Sequence, residues 1–84
     1  MMLFRREGCH LCEAVEAELL SMKLTGRVTV VNVDADPAIQ ARYILRIPVV
    51  AVGGEEAFDG KMMDREGRWK ELLRSRLSGL TQVG

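Results

Sequence analysis

The stretch LFRREGCHLC, residues 3–12, decides the organisation of this chain. Residues 1–5 are short and mostly apolar, and Glu7-Gly8 follows them, which is typical of a strand that runs into a turn. Apolar side chains then recur at a 3-4-3 spacing up to Met22, which indicates one buried face of a helix. The stretch therefore places two cysteines where a strand passes into a helix.

The cysteines at positions 9 and 12 have the spacing and the placement that thiol chemistry needs. The first-turn N–H groups and the dipole of a helix favour a thiolate over a thiol. A separation of three residues brings the second sulfur alongside the first, so Cys12 can attack a mixed disulfide formed on Cys9. Because Cys12 belongs to the apolar helix face, we expect it to be the more buried thiol. The sequence therefore predicts Cys9 as the nucleophile and Cys12 as the resolving thiol.

The charged neighbours of Cys9 act in opposite directions. Arg6 and His10 flank it and would stabilise its thiolate, so both are candidate thiolate-tuning residues, whereas Glu7 and Glu13 oppose them. We expect a net lowering of the Cys9 pKa, of a size that the sequence does not define. For His10, a role as a proton-shuttling base stays open beside that of a solvated first-turn residue.

The composition limits the classes of protein to which the chain can belong. Its 84 residues and 9.4 kDa allow one domain, which we place over residues 1–84. With 48% hydrophobic residues the chain does not look disordered, and 12 basic against 12 acidic side chains argue against nucleic acid or an acidic membrane as partner. It shows no export signal and no apolar run near the roughly 18 residues of a membrane span. We expect a soluble, monomeric protein of the reducing cytoplasm.

Two cysteines are too few for a disulfide scaffold, and other uses of the pair need to be weighed. A closed zinc site requires four ligands, but Cys9, Cys12 and His10 are the only strong candidates in the chain. We therefore predict no metal site within one chain and no tightly bound cofactor. Two alternatives stay open: a zinc or iron–sulfur site shared by two chains, and a pair of ordinary buried cysteines.

The remaining sequence predicts a β-α-β-α-β-β-α order. Thr25-Gly26 is expected to end the first helix, and Asp36-Pro37 combines a capping residue with a proline suited to the first helical turn. Gly53-Gly54 is a hairpin signal, and Asp64 is a candidate cap for a last helix that ends near Gly79. The predicted elements after the first helix are a strand over 27–33, a helix to about Tyr43, strands over 47–52 and 55–58, and a helix whose spaced apolar residues are Trp69, Leu72, Leu73, Leu77 and Leu80.

This order predicts how the elements pack. A strand–helix–strand unit is right-handed with parallel strands, whereas the terminal hairpin is antiparallel. The expected fold class is therefore α/β, a four-stranded mixed sheet flanked by three helices. Trp69 is expected to pack the last helix onto this sheet.

A Cys-x-x-Cys pair after the first strand and Arg46-Ile47-Pro48 before the third give the chain a resemblance to the glutaredoxin-like branch of the thioredoxin superfamily. The similarity runs from Met2 through the last helix, and residues 3–12 look like small bacterial glutaredoxin-like proteins with a Cys-His-Leu-Cys site. Asp34-Ala35-Asp36-Pro37 looks like the same group. The resemblance implies a thioredoxin-like fold and a redox-active disulfide. It also implies that the protein is an enzyme that takes part in electron transport and cell redox homeostasis.

The resemblance also implies a substrate site. It implies a cis peptide bond before Pro48, facing the cysteines, and an Ile47 backbone that pairs with a substrate chain. Arg42 or Arg46 is a candidate partner for a substrate carboxylate. The chain departs from the family between the cysteines, where His10-Leu11 replaces the usual proline and aromatic residue, and at residues 58–64, which lack the Gly-Gly pair with which glutaredoxins bind glutathione.

We therefore predict a thiol–disulfide oxidoreductase that reduces protein or small-molecule disulfides by dithiol exchange. The electron donor is expected to be a thioredoxin-reductase-type enzyme or glutathione, and the missing glycine pair counts against glutathione. The alternative from another class is a non-enzymatic carrier of a metal or iron–sulfur cluster, or a redox-sensing adaptor, that uses the same cysteine pair.

Overall fold

The computed structural model describes residues 1–81, with the side chains of all of these except Thr25, Leu80 and Thr81. Strands and helices follow one another in the predicted order, and a one-turn helix is added at the end. The elements are β1 (Met2–Arg5), α1 (His10–Ser21), β2 (Thr29–Asn32), α2 (Pro37–Tyr43), β3 (Val49–Val52), β4 (Glu55–Phe58), α3 (Trp69–Arg76) and α4 (Ser78–Thr81). Within residues 1–81, no helix has both the length and the apolar character that crossing a membrane requires.

The four strands form one mixed sheet in the order β2-β1-β3-β4, which confirms the predicted architecture. Strands β1 and β2 are parallel, whereas β3 is antiparallel to β1 and β4 is antiparallel to β3. Phe4, near the end of β1, lies opposite both Val31 in β2 and Val49 at the start of β3. The loops after β1, after β2 and before β3 therefore meet at one end of the sheet.

Each face of the sheet has its own apolar cluster, because successive side chains of a strand point to opposite faces. Leu3 and Phe4 of β1 accordingly belong to different clusters. The larger cluster, between the sheet and helices α1 and α3, contains Leu3, Val15, Leu19, Leu24, Val50, Phe58, Trp69, Leu73 and Leu77. The smaller cluster, on the face that α2 covers, contains Phe4, Val33, Tyr43, Val49 and Ala51.

Local signals predicted α2 and the hairpin correctly. Asp36 Oδ1 accepts the Ala38 N–H at 2.8 Å and caps α2, with Pro37 as its first residue. The hairpin between β3 and β4 turns at Gly53 and Gly54, whose φ angles of 60° and 84° are both positive. A two-residue turn with two positive φ angles favours glycine at both positions.

The predicted stop of α1 at Thr25-Gly26 is wrong. The helix ends at Ser21, and Lys23 adopts the left-handed conformation at φ 60°. The Leu24 N–H then donates to the Leu19 carbonyl at 3.0 Å, and both side chains are buried in the larger cluster. This is the hydrogen bond and apolar contact of a Schellman closure. Burial of Leu24 therefore ends the helix early, with a lysine where a glycine was expected.

Three other boundaries differ from the predicted ones. Strand β2 starts at Thr29, two residues late, because residues 25–27 form a single 3₁₀ turn. It ends at Asn32, whose side chain accepts the Asp34 N–H at 3.0 Å and starts another turn. Strand β3 starts at Val49, so Pro48 precedes the ladder instead of opening it.

The last helix also starts later than expected with Asp64 as its cap. Asp64 lies five residues before Trp69, but its carboxylate accepts the N–H groups of Arg68 at 3.2 Å and Trp69 at 2.8 Å. Partial burial raises the pKa of Asp64 and these two hydrogen bonds lower it, with a net value below the ordinary 3.8. The helix stops at Arg76, Gly79 lies within α4, and the Leu80 side chain lies outside the described residues.

Trp69 packs α3 onto the sheet, as predicted. Its ring lies 6.1 Å from the Phe58 ring of β4, measured between centroids, and it belongs to the larger cluster. The buried aromatic pair fixes where the last helix crosses the edge of the sheet.

Candidate active site

Cys9 occupies the cap position at the start of α1. Its backbone is extended (φ −91°, ψ 105°), and its Sγ accepts the Cys12 N–H at 3.1 Å. The first N–H groups of a helix have no partner within the helix, and they carry the positive end of its dipole. The Cys9 sulfur therefore lies where a negative charge is stabilised, which is what a reactive thiolate requires.

Cys9 and Cys12 form a disulfide, with their Cα atoms 5.2 Å apart. Cys12 is fully buried among the apolar side chains of α1, whereas Cys9 is only half-buried. The more accessible sulfur is thus the one at the cap, in agreement with the expectation from the helix pattern.

The structure separates the two residues that were predicted to tune the thiolate. The His10 side chain is 96% exposed, and its Nδ1 lies 3.7 Å from a carboxylate oxygen of Glu13, within the first turn. Arg6 Nε instead donates to Asp34 Oδ2 at 2.9 Å, and Gln40 Nε2 donates to the other oxygen of Asp34 at 2.8 Å. The Arg6 charge is therefore held by the loop after β2.

The Ile47–Pro48 peptide bond is cis, and Pro48 is fully buried. Val49, the next residue, pairs with Phe4, so Pro48 lies at the same end of the sheet as the loop that leads to Cys9. Ile47 is partly buried against the smaller apolar cluster. The structure thus brings the cysteine pair and the Ile47-Pro48 segment to one end of the sheet.

Arg46, predicted to meet a substrate carboxylate, is engaged by carboxylates of its own chain. Its guanidinium forms a two-pronged ion pair with Glu56, in which Nη2 lies 3.0 Å from Oε2, and Nη1 lies 3.7 Å from Asp59. The guanidinium also lies 5.4 Å from the centre of the Tyr43 ring. The hydrogen bond with Glu56 raises the pKa of Arg46, and the same bond lowers the pKa of Glu56 below its ordinary 4.5.

Glu56, Asp59 and Gly60 are the residues near the site that the sequence did not indicate. Gly60 lies against the Arg46-Ile47 backbone, with its N–H donating to the Arg46 carbonyl at 2.8 Å. Arg46 and Glu56 are ten positions apart, and the β3–β4 hairpin that joins them contains a register shift at Val50/Ala51. No fixed sequence spacing could have indicated this pair, because the register shift decides which side chains meet.

The side chains that could bind a metal are dispersed over the described part of the chain. Over residues 1–81, no three side chains from histidine, cysteine, aspartate and glutamate come together as a group that could hold a metal ion. The contacts observed at the cysteines are instead the disulfide and the hydrogen bond from the Cys12 N–H.

The mixed sheet with helices on both faces, the Cys-x-x-Cys pair at the start of α1 and the cis-proline at the same end define a thioredoxin-like protein. The sequence profile described as "Glutaredoxin-like domain (DUF836)" matches residues 1–78. The chain therefore belongs to the glutaredoxin-like family, a family of thiol oxidoreductase type, and the resemblance stated from the sequence is confirmed.

A solved structure has a similar fold. The X-ray structure of a structural-genomics target protein, XcR50 from X. campestris, is 29% identical to the chain and superposes with a TM-score of 0.66. The match covers 88% of this chain and 95% of that one. No curated protein sequence gave a significant match. The predicted thioredoxin-like fold and a redox role for the cysteine pair are thus supported.

Proposed function

We propose that the protein is a thiol–disulfide oxidoreductase in which Cys9 is the nucleophile and Cys12 is the resolving thiol. One observation carries the proposal: the two cysteines are joined at the start of α1, with Cys9 accessible and receiving the Cys12 N–H, and with Cys12 buried. A helix-start sulfur with a backbone donor is stabilised as a thiolate, and the thiolate is the attacking form.

The reaction is a double exchange. In the reduced protein, the Cys9 thiolate attacks one sulfur of the substrate disulfide, forms a Cys9–substrate disulfide, and releases the other sulfur as a thiolate that takes up a proton. Cys12 then loses its proton and attacks the Cys9 sulfur, which forms the Cys9–Cys12 disulfide and releases the second substrate thiol. Two electrons thereby pass from the two cysteine sulfurs to the substrate. Of the two protons taken up by the substrate thiols, one is lost by Cys12 and the other comes from the solvent, because Cys9 reacts as a thiolate.

Exposed apolar side chains around this end of the sheet favour a polypeptide substrate. Leu11 lies between the two cysteines, Leu45 lies two residues before Ile47, and Met62 lies two residues after Gly60, and all three are exposed. Leu45 is 87% exposed, although a leucine normally gains free energy from burial. Apolar side chains left in water at a redox site suit an extended protein chain that covers them and pairs with the Ile47 backbone.

The donor that regenerates the dithiol is, in this proposal, a thioredoxin-reductase-type enzyme. At the position where glutaredoxins carry a glycine pair for glutathione, Asp59 accepts the Lys61 N–H at 2.9 Å and lies 3.7 Å from Arg46. An anionic ligand at this loop would meet a fixed carboxylate, because the Asp59 side chain already uses the backbone donor. We place the protein in the cytoplasm, because a dithiol reductant needs a reducing compartment. In this proposal it acts as a monomer.

The test of the reaction is a single turnover. The protein is reduced, freed of reductant and mixed with excess of a peptide disulfide, and the released thiols are counted. The wild type is expected to release two substrate thiols per chain, Cys12→Ser one, and Cys9→Ser none. Thiol release by Cys9→Ser at the wild-type rate would refute the assignment. An anaerobically purified protein that carries metal or colour and reduces no disulfide would favour the carrier alternative.

The test of the donor compares two reductants. Oxidised protein is incubated either with glutathione or with NADPH and thioredoxin reductase, and the Cys9–Cys12 dithiol is counted by alkylation and mass spectrometry. Only the reductase is expected to reduce the wild type, and Asp59→Asn is expected to gain reactivity with glutathione because the like charge is removed. Rapid reduction of the wild type by glutathione would overturn the proposed donor.

A further inference from the structure

The backbone just before Pro48 is held from one side by a compact group of residues. We propose that Arg46, Glu56, Asp59 and Gly60, called here the brace, are positioning residues that fix the Ile47 backbone for pairing with a substrate polypeptide. This inference rests on the proposed function, and it assigns Arg46 a role through the backbone instead of contact with a substrate carboxylate.

The side chains of the brace form its polar half. Glu56 lies on β4 and holds Arg46 through two guanidinium nitrogens, while Asp59 adds a second carboxylate 3.7 Å away. A planar guanidinium held at two points by a carboxylate loses most of its freedom to rotate. Arg46 Nη2 also donates to the Arg42 carbonyl at 3.4 Å, so the guanidinium joins the end of α2 to the hairpin.

Gly60 forms the backbone half of the brace. Its N–H donates to the Arg46 carbonyl at 2.8 Å, and its Cα faces the peptide group of Ile47. A Cβ at this position would lie 2.3 Å from the Ile47 carbonyl oxygen and 2.9 Å from its carbonyl carbon. These neighbours are backbone atoms, which cannot rotate away as a side chain could. Any larger residue at position 60 must therefore move the Ile47 backbone.

The location of Ile47 explains why such support matters. The ladder between β1 and β3 begins with Phe4 and Val49, so Ile47 lies beyond the paired part of the sheet. A segment outside the ladder is not fixed by strand hydrogen bonds, and an incoming strand can pair only with a backbone that is already extended and aligned. The brace supplies the alignment that the sheet does not.

The distribution of charge argues against direct substrate contact by Arg46. The Arg46 side chain is 25% exposed, and two carboxylates and the face of Tyr43 already surround the guanidinium. A substrate carboxylate would have to displace Glu56, which is held by two hydrogen bonds. Binding to an already neutralised cation gains little, since the new ion pair replaces an existing one.

The experiment compares two substrates in the full-length protein. One is a peptide disulfide, and the other is 2-hydroxyethyl disulfide, which has no peptide groups with which to pair. The measured quantity is the ratio of kcat/KM for the peptide to kcat/KM for the small disulfide, in Arg46→Ala, Glu56→Gln and Gly60→Ala. We expect the ratio to fall about tenfold or more in each, because misplacing a binding group by about 1 Å has effects of that order. Gly26→Ala, where a Cβ meets no atom within 4 Å, is expected to keep the wild-type ratio.

The Glu56→Gln variant separates positioning from direct contact. If Arg46 binds a substrate carboxylate, this variant frees the guanidinium and lowers the KM of an acidic peptide, whereas Arg46→Ala raises it. If the brace is correct, both variants raise the KM of acidic and neutral peptides alike. An unchanged ratio in folded Arg46→Ala and Glu56→Gln, verified by thermal unfolding, overturns the inference. A wild type that reduces neither disulfide overturns the proposed function instead.

Discussion

On the face that α1 and α3 cover, the sheet packs against a broad apolar cluster. On the α2 face the cluster is smaller, and the guanidinium groups of Arg42 and Arg46 lie over the ring of its Tyr43. On the first face, Arg74 Nη2 of α3 lies 3.2 Å from Glu18 of α1 and joins the two helices. On the second face, ion pairs hold the loops near the cysteines: Arg6, in the loop after β1, pairs with Asp34, and Arg46, in the loop before β3, pairs with Glu56 of β4.

The difference indicates a division of tasks between the two faces. Free energy of folding scales with the apolar area removed from water, so the larger cluster contributes most of the stability. The smaller cluster contributes less, and its polar surroundings fix where the loops before Cys9 and Pro48 lie. Substitutions on the two faces are therefore expected to change different observables.

The largest expected change comes from truncating the larger cluster. Leu73→Ala removes a fully buried side chain and is expected to lower the free energy of unfolding by about 2–5 kcal/mol. The kcat/KM of the remaining folded protein is expected to stay at the wild-type value. Urea unfolding measures the first quantity, and Leu20→Ala, at an exposed position of α1, is the control, with a change within about 0.5 kcal/mol. A Leu20→Ala protein that is destabilised as much as Leu73→Ala would contradict the claim that the larger cluster contributes most of the stability.

A smaller effect is expected at the start of α3. Asp64→Ala removes the acceptor of the Arg68 and Trp69 N–H groups and is expected to lower the melting temperature at neutral pH. Because the folded-state pKa of Asp64 lies below the ordinary 3.8, its contribution is complete above that value and is lost as the pH falls through the folded-state pKa. Melting curves of the two proteins should therefore converge in acid. Curves that stay equally far apart down to pH 2 would contradict the role of the carboxylate.

The smallest change in stability is expected on the α2 face, together with a change in the reactivity of the Cys9 thiol. Asp34→Asn weakens the exposed pair with Arg6 and is expected to cost less than about 1 kcal/mol. Arg6, three residues before Cys9, then carries an unneutralised charge, and the reduced protein is expected to react faster with iodoacetamide at neutral pH. A stability loss like that of Leu73→Ala, with unchanged alkylation, would place Asp34 among the residues that hold the fold.

The parts of the fold that were predictable from the sequence rest on local signals. Asp36 caps a helix and Pro37 suits its first turn, while Gly53-Gly54 favours a hairpin turn. The predicted helix and hairpin therefore agree with the observed ones. The end of α1 did not, because burial of Leu24 is a tertiary effect that overrides the glycine signal at position 26.

The same limit applies to the site. The cysteine pair and Pro48 were predictable because short motifs carry them. The partners of Arg6 and Arg46 were not, because Asp34 and Glu56 reach them only through the parallel pairing of β1 with β2 and the shifted register of the hairpin. Arg6 was predicted to stabilise the thiolate and Arg46 to bind a substrate carboxylate, but both are held by carboxylates of their own chain.

The central claim is that Cys9 attacks and Cys12 resolves, and trapping the intermediate tests it most directly. Reduced Cys12→Ser and Cys9→Ser proteins are each mixed with a peptide disulfide, denatured without reductant, and weighed by mass spectrometry. We expect Cys12→Ser to gain the mass of one peptide chain on Cys9 and Cys9→Ser to stay unmodified, because the accessible sulfur is at the helix start. An adduct on Cys12 in Cys9→Ser, with none on Cys9 in Cys12→Ser, would contradict the account.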